Sequence, residues 1–291
     1  MNFYGKYENL IVSHFSGSDS VFNIDFGQHK YQFEIRGDGG ERRVQSFGQI
    51  IRDFSALDML EESQVRVLLV QLREFVLGNK VPLVVFGPFR RPKISNLFLK
   101  YGDRITGYTW SDQNFDIEAL ISKKKFLSCD WRKLQRDRKR IEKAGFRIYS
   151  DFFLPSEVRD IHLRRWGENR SKGFFRFLED ACRMQIAISH CLYSDKGILV
   201  AAHVDFLLPD ATLYYFSARE IDSPSGAGNA LRMASFSLHS RRLKNQEFFR
   251  GSGVYSFGRG AEIYKFSYAD EFRPYSRVIG FYTGDSAEKY D

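Results

Sequence analysis

Three apolar runs follow one another closely between residues 185 and 220: QIAISHCLYS, ILVAAHVDFLL and ATLYYFSARE. They are separated by Asp195-Lys196-Gly197 and Pro209-Asp210. Glycine supplies the positive φ of a tight turn and proline presets φ, so both separators suit chain reversals. The runs therefore predict three consecutive antiparallel strands. Directly after them comes SPSGAGNA (223–230), then ALRMASFSLHSRRLKN, a helix by length and pattern. A meander, a glycine loop and a helix in that order point to an α/β chain of the α+β type. Its sheet is mixed, mostly antiparallel and flanked by helices.

The elements around this block fit the same class. FRIYSDF (146–152) reads as a strand, and PSEVRDIHLRRW (155–166) and SKGFFRFLEDACRM (171–184) as helices, the first entered at Pro155. A final pair of strands is expected to contain YSFGRGAEIYKFSY (255–268). Earlier, VFNIDFGQHKYQFEIRG (21–37) alternates about a turn containing Gly27, as a hairpin does. A helical stretch is expected from Ser46, and a clearer one from Glu62 to Leu77. There Val65, Leu68, Leu69, Leu72, Phe75 and Val76 share a face before Gly78 and Asn79. VPLVVFGPF (81–89) reads as a buried strand. TWSDQNFDIEALISKKK is a polar segment leading to DWRKLQRDRKRIEKAG (130–145), a basic helix with almost no apolar face. The boundary between halves is placed near residue 125, giving an α/β unit over 1–125 and a second unit over 126–291.

Net charge narrows the partners. With 44 Lys and Arg against 36 Asp and Glu, the chain carries +8, which favours anionic partners. Cys129, Cys182 and Cys191 have no metal-ligand spacing, so neither a zinc site nor a disulfide framework is expected. The N-terminus lacks a signal-peptide pattern, and no apolar stretch is long enough to span a bilayer. A cytoplasmic protein is the expectation, with a peripheral place at the inner face of the membrane as a variant.

The loop Ser225-Gly226-Ala227-Gly228-Asn229 is the first candidate site. Its glycines allow close backbone approach, and amides at a helix start point at anions, so a diphosphate is the natural guest. A plain loop with a Ser or Asn cap competes with that reading on equal terms.

Element order and loop together resemble the GNAT N-acyltransferase superfamily, whose loop reads Gln/Arg-x-x-Gly-x-Gly/Ala. Residues 223–228 match it with Ser223 in the first place. Within that superfamily the chain is similar to the FemAB-like branch. There a basic helix like RKLQRDRKRIEKAGFRI precedes the domain, and Phe-Gly-x-Gly-x-x-x-Tyr-Lys closes it, matched here by Phe257, Gly258, Gly260, Tyr264 and Lys265. RRWG (164–167) and YSFG (255–258) also resemble a bacterial envelope family linked to antimicrobial-peptide resistance. The likeness covers residues 130–275. FemAB proteins hold two GNAT-like units in tandem, so the resemblance allows the first half to be a degenerate copy.

The resemblance implies acyl transfer to an amine. Strand amides around Leu213 to Ala218 would hold the acyl carbonyl. Tyr264 would protonate the leaving group, with a cross-strand aromatic pair as the plainer alternative. Lys265 would hold phosphate or stabilise charge, unless it is an exposed strand lysine. The general base stays open between Glu220, Asp205, Glu262 and ordered water. Asp205, mid-strand in an apolar run, is expected either to have a raised pKa or to pair with an arginine. The histidines read as core or surface residues, and no metal is expected.

The implied donor is acyl-CoA, acetyl-CoA first, and the implied acceptor a small-molecule or cell-envelope amine. Two alternatives stand beside it: an aminoacyl-tRNA-dependent FemAB-type enzyme, and a non-catalytic GNAT-fold binding protein in envelope defence. Helix 130–145 is a solvated face, or a contact for tRNA or lipid phosphate, or a membrane-surface contact.

Overall fold

The computed structural model describes residues 3–15, 21–26, 29–37, 42–46, 56–90, 92–151, 153–167, 172–245, 253–260 and 262–282. Contacts divide the chain into two compact units: Ala119–Phe272, and Asn2–Glu118 together with Arg273–Asp291.

The unit built on residues 2–118 opens with helix α1 (Phe3–Phe15). The expected hairpin follows: β1 (Val21–Phe26) pairs antiparallel with β2 (His29–Arg36), from Val21↔Glu34 to Phe26↔His29. Its turn at Gly27 lies outside the described residues. β3 (Arg43–Ser46) is antiparallel to β2. The helix expected from Ser46 falls on residues outside the described ones, and Ser46 itself ends β3. Helix α2 (Glu62–Gly78) buries Val65, Leu68, Leu69, Leu72 and Val76, the face that the i, i+3, i+4 spacing marks. The chain then returns as β4 (Leu83–Phe89), parallel to β3, and continues through α3 (Pro92–Thr106) and β5 (Tyr108–Ile121). The segment read as merely polar, TWSDQNF, therefore lies in a strand. Phe33, Phe86, Phe98 and Trp110 form the aromatic centre, with neighbouring rings 4.8–5.5 Å apart in three successive pairs.

The other unit carries α4 (Lys123–Ser128), α5 (Arg132–Lys143), β6 (Arg147–Ser150), α6 (Pro155–Trp166) and α7 (Lys172–Arg183). The meander is β7 (Ala187–Tyr193), β8 (Leu199–Phe206) and β9 (Ala211–Arg219), antiparallel throughout. Helix α8 (Ala227–Lys244) crosses over to β10 (Val254–Arg259), which runs parallel to β9. The strand order in this unit is β10-β9-β8-β7-β6. One sheet face is covered by α6 and α7, where His162, Phe174 and Phe175 meet Phe216. The opposite face is covered by α5 and α8, through Ile141, Leu192, Ala201, Ala227, Ala230 and Leu231.

The basic helix α5 is exposed on most sides, and its two buried apolar residues, Leu134 and Ile141, seven apart, fix one face of it against the unit. One expectation changes here: the closing motif is not a strand pair. β10 ends at Arg259, and Ile263–Phe266 form a one-turn helix, α9, before β11 (Glu271–Tyr282) begins. Gly258 and Gly260, with φ of 68° and 103°, break the strand between them. From Arg273 onward β11 belongs to the first unit, antiparallel to β4, in the order β1-β2-β3-β4-β11-β5.

One succession occurs twice: three antiparallel strands, a helix, then a strand parallel to the third. It is β1-β2-β3-α2-β4 in one unit and β7-β8-β9-α8-β10 in the other. Among the described residues no helix is long and apolar enough to cross a membrane.

Packing in the first unit gives a direct test. A Cβ on Gly102 would lie 2.4 Å from Trp110 Cδ1. The indole cannot easily yield, because its Nε1 donates to Thr106 Oγ1 at 2.9 Å and its backbone amide donates to Asp103 Oδ1 at 3.0 Å. Gly102→Ala should therefore destabilise by about 1–3 kcal/mol despite alanine's better helix propensity. Urea unfolding measures this, and an unchanged or raised midpoint contradicts the packing argument.

Candidate functional site

The site begins where two parallel strands stop pairing. β9 and β10 share the register Ala211↔Val254, Thr212↔Tyr255 and Leu213↔Ser256. Past this point β9 stays paired to β8 as far as Arg219. β10 leaves it after a last close approach, where a Cβ on Gly258 would be 3.2 Å from the Tyr214 carbonyl. The edge of β9 beyond Leu213 is thus free of its parallel neighbour. Unpaired strand amides are hydrogen-bond donors in search of a carbonyl.

Aromatic rings and one guanidinium line the parting. Phe257 lies 6.2 Å from Tyr214 and 6.2 Å from Tyr264, edge-on to the latter. Arg232 of α8 stacks on Tyr264 and Tyr268, 5.0 and 4.9 Å from the ring centroids. Its Nη1 donates to Asn229 Oδ1 at 3.1 Å and to the Tyr268 hydroxyl at 3.3 Å. Burial, then the neighbouring Tyr214, pushes the Tyr264 hydroxyl well above its ordinary value, so it holds its proton at neutral pH. Such a group can give a proton to a leaving anion and is unsuited to taking one from an amine.

The glycine loop stands at the start of α8. Gly226 caps the helix with φ 94°, and a Cβ there would lie 2.7 Å from Arg140 Nη2 and 3.3 Å from Asp137 Cβ. Helix α5 is the reason for this crowding. Arg140 donates to the Ser225 carbonyl at 2.8 Å and pairs with Asp137 at 3.2 Å, while Asp137 accepts from the Asn229 amide at 2.6 Å. The loop is therefore braced, and Gly226 is needed for its φ and for the close passage of α5. Gly228 is different: its nearest neighbour, Arg219 Nη1, would be 3.8 Å from an added Cβ. Ala227 is buried against Ile141, and its amide donates to the Pro224 carbonyl at 3.0 Å.

The three carboxylates considered as bases are all engaged. Glu220 accepts from both Nε and Nη2 of Arg164, and its own carbonyl accepts from Arg165 Nη1 at 3.3 Å. Glu262 pairs with Lys265 at 2.7 Å. Asp205 is fully buried and is neither raised nor paired with an arginine. His203 Nε2 donates to its Oδ1 at 2.7 Å, and the Tyr255 hydroxyl donates at 3.3 Å. Burial alone would raise its pKa, but the charge and hydrogen bond of His203, then His190, hold it below the ordinary value.

This carboxylate sits in a polar seam between the sheet and α8 that sequence reasoning did not find. Ser235 and the Tyr255 hydroxyl are hydrogen-bonded at 2.7 Å, and His239 Nδ1 and Thr212 Oγ1 at 2.9 Å. Arg242 donates to Thr212 Oγ1, Ala211 O and Leu208 O at 2.8–2.9 Å. A recognisable sign was present: polar residues at His203-x-Asp205 within a strand must share a face.

Lys265 is not a strand lysine facing the cleft. It lies in α9, is only 2% exposed, and donates to the Arg259 carbonyl and, at 3.2 Å, to that of Gly260. Its ammonium ties off the turn that ends β10. Among the described residues no group of three or more His, Cys, Asp or Glu could hold a metal. A cleft of about 350 Å³ lined by Val76, Leu77, Lys80, Val81, Pro82, Tyr108 and Tyr282 belongs to the other unit and has none of these features.

No protein-family model matches the sequence, and no curated protein matches it either. Solved structures do match in fold. L-PGS from Bacillus licheniformis aligns over 96% of this chain and 91% of its own, with 15% identity and a TM-score of 0.59. The C-terminal domain of a putative lysylphosphatidylglycerol synthetase from Agrobacterium fabrum covers 96% and 87%, at 12% identity and TM-score 0.60. FemX covers 96% and 90%, at 9% identity and TM-score 0.59. This chain has their fold. The likeness runs through both units, well beyond the residues 130–275 that carry the resemblance in sequence.

Two outcomes follow from the buried groups. Burial pushes His190 down to about 4 and His239 to about 3, from an ordinary 6.5. Both are neutral in the fold, so the unfolded chain binds more protons once pH drops below about 6.5. Stability should fall as pH goes from 6.5 to 4, with a further loss below 3.8 from Asp205. Urea titrations across this window should show it, and His239→Gln should flatten the slope; a flat wild-type profile contradicts the seam. Lys265→Met should lower stability by about 1–3 kcal/mol, since buried carbonyls lose their donor. An unchanged unfolding midpoint would contradict the turn-closing role.

Proposed function

We propose that this chain is an N-acyltransferase that moves an acyl group from a nucleotide-bearing carrier to an amine. The parting of β9 and β10 past Leu213 and Ser256 carries this reading. It supplies a free strand edge for the acyl carbonyl beside a braced glycine loop, with Tyr264 across the gap.

The donor carbonyl oxygen accepts from amides on the β9 edge between Leu213 and Ala218, which stabilise the oxyanion as it forms. The amine nitrogen attacks, the new C–N bond forms, and the bond from the carbonyl carbon to the carrier's sulfur or oxygen breaks. The Tyr264 hydroxyl protonates the departing atom and is reprotonated from solvent. The amine loses its proton to water, because Glu220, Asp205 and Glu262 are each held by a cationic or hydrogen-bonded partner.

Acyl-CoA, with acetyl-CoA first, is the donor that a loop of this kind suits, through the amides of Gly226, Gly228 and Asn229, that of Ala227 being spent on the Pro224 carbonyl. A second reading has a specific observation behind it. The fold likeness to FemX and to a putative lysylphosphatidylglycerol synthetase spans both units, and the latter is named for adding lysyl to a lipid. An aminoacyl ester of tRNA uses the same carbonyl chemistry, and the exposed side of α5 suits its phosphates. The acceptor is a small-molecule or cell-envelope amine, and a peripheral place at the inner membrane face fits the latter.

Calorimetry with acetyl-CoA and with charged tRNA, followed by mass analysis of an amine panel, tests the proposal. One donor should bind and one amine should gain the acyl mass. Tyr264→Phe should lower kcat by roughly 100-fold or more with little change in unfolding midpoint. If neither donor binds at high micromolar concentration, the acyltransferase reading fails and a binding role through this fold replaces it.

A further inference from the structure

The polar seam does not end under α8. Its carboxylate, Asp205, faces His190 on β7, which is 1% exposed, and that histidine faces the exposed Ser150 on the edge strand β6. Ser150 and His190 stand directly opposite each other in the β6–β7 ladder. One residue on, the Asp151 amide donates to the Ser189 carbonyl at 3.0 Å, which makes Ser150 and His190 a non-hydrogen-bonded pair. Side chains approach most closely in pairs of that kind. Ser150 Oγ lies 2.8 Å from His190 Nδ1. The other ring nitrogen, Nε2, faces Asp205 Oδ2 at 3.7 Å, and both atoms are buried with no hydrogen-bond partner among the described residues.

A carboxylate beside Nε2 places the ring proton on that nitrogen, which leaves Nδ1 to accept from the serine hydroxyl. Asp205 keeps its charge because His203 and Tyr255 both donate to its Oδ1. Serine, histidine and carboxylate thus stand in the order that makes a hydroxyl nucleophilic. The 3.7 Å step is longer than a hydrogen bond, but such contacts commonly run long in free enzymes and shorten as charge develops on the ring. Because the Asp151 amide points toward β7, the Ser150 amide points outward from the sheet edge, beside its own hydroxyl, where an oxyanion would form. Asp151 then turns the chain with φ 63°, so Ser150 ends the strand at an open surface.

The charged and titratable groups around His190 are Asp205 and His203 on β8, Arg241 on α8 and Arg138 on α5. Burial outweighs the carboxylate and holds the imidazole down at about 4. A base this weak is unprotonated at neutral pH but takes a proton reluctantly, so the hydroxyl suits acyl groups with good leaving groups rather than amides.

We propose that Ser150, with His190 as its base and Asp205 behind it, is a nucleophilic serine that accepts an acyl group from a thioester or activated ester. His190 Nδ1 takes the hydroxyl proton as Oγ bonds to the acyl carbon. The bond from that carbon to the leaving thiol or alcohol breaks, and the departing atom takes the proton from Nδ1. An ester on Ser150 remains, and water cleaves it slowly with the same base. The centre does not rest on the amine transfer proposed above, because β6 lies at the far edge of β10-β9-β8-β7-β6 from the parting of β9 and β10.

The test is incubation with a fluorophosphonate and with p-nitrophenyl acetate, read by intact mass, peptide mapping and release of p-nitrophenol. Wild-type protein should gain one adduct, on Ser150, at neutral pH, about 100-fold faster than any on the exposed Ser128. Ser150→Ala should remove the adduct and the p-nitrophenol burst, while Ser128→Ala, whose hydroxyl only donates to the Lys125 carbonyl, should change neither. His190→Gln should slow labelling by about 100-fold. If His190→Gln does not fold, the comparison of Ser150 with Ser128 in wild type decides alone. No adduct, adducts spread equally over Ser150 and Ser128, or wild-type labelling in folded His190→Gln overturns the nucleophile. Amine transfer without a Ser150 adduct leaves the site between β9 and β10 standing alone, and an adduct without amine transfer does the reverse.

Discussion

A parallel strand pair needs a crossover, and between β9 and β10 the crossover is α8. Its placement forces the sheet to change character between β9 and β10. All ladders from β6 to β9 are antiparallel, and the next is parallel and only three residue pairs long. The helix that makes the crossover possible also brings its N-terminal loop to the end of β9, since Arg219 and Gly226 are only seven residues apart. A free strand edge, a glycine loop and an α8 face with Arg232 are consequences of one topological event. None of them could be moved without changing the crossover.

The polar seam beneath α8 bears on the same point. A helix laid on a sheet through apolar contacts alone can slide by a turn, because apolar packing is weakly directional. Here His239 meets Thr212, Ser235 meets Tyr255, and Tyr255 meets Asp205, so α8 is pinned to β8, β9 and β10 in one register. Burying an ionised carboxylate is expensive unless hydrogen bonds compensate, and the donors from His203 and Tyr255 provide that compensation at Oδ1, while Oδ2 has only His190 Nε2 at 3.7 Å beside it. We read the seam as exchanging stability for position: Arg232 and Gly228 are placed by groups that never face the site.

Much of this was legible in the residues, for reasons that differ by element. The meander and α8 were clear because their periodicity is local and the turn residues Asp195-Lys196-Gly197 and Pro209-Asp210 punctuate it. The position of the Gly226 loop was clear because its glycines stand directly before a long helical pattern, whereas a ligand cradle and a plain cap stayed equally open on those residues. Lys265 was misread because a lysine between Tyr264 and Phe266 looks like an alternating strand. The strand ends at Arg259 because Gly258 and Gly260 take positive φ, and the lysine then serves the carbonyls left open by that turn. The docking face of helix α5 was hidden for another reason. Leu134 and Ile141 are only two apolar residues, but Asp137 lies on the same side and is held by Asn229, so the stripe that docks is partly polar. The stacking of Arg232 on Tyr264 and Tyr268 carried no signal at all, because contacts between α8 and the turn after β10 are not written in sequence spacing.

The repeated succession sharpens the argument about where chemistry can occur. β1-β2-β3-α2-β4 repeats the order of β7-β8-β9-α8-β10, including the parallel return. The two crossover helices begin in opposite ways. α8 is entered through Gly226 with backbone exposed at Gly228. α2 is entered through Glu61 and Glu62, and the Glu61 amide donates to Gln64 Oε1 at 2.9 Å. Two carboxylates at a helix start satisfy the helix dipole and repel a second anion there. Lys93 and Lys100 pair with those carboxylates, so the first copy's nearby cations are engaged as well. For the anionic donor proposed above, only one of the two crossover helices is suited. The same order of elements leaves the first turn of α8 open and caps that of α2 with its own carboxylates, and the difference comes down to what stands at the first turn.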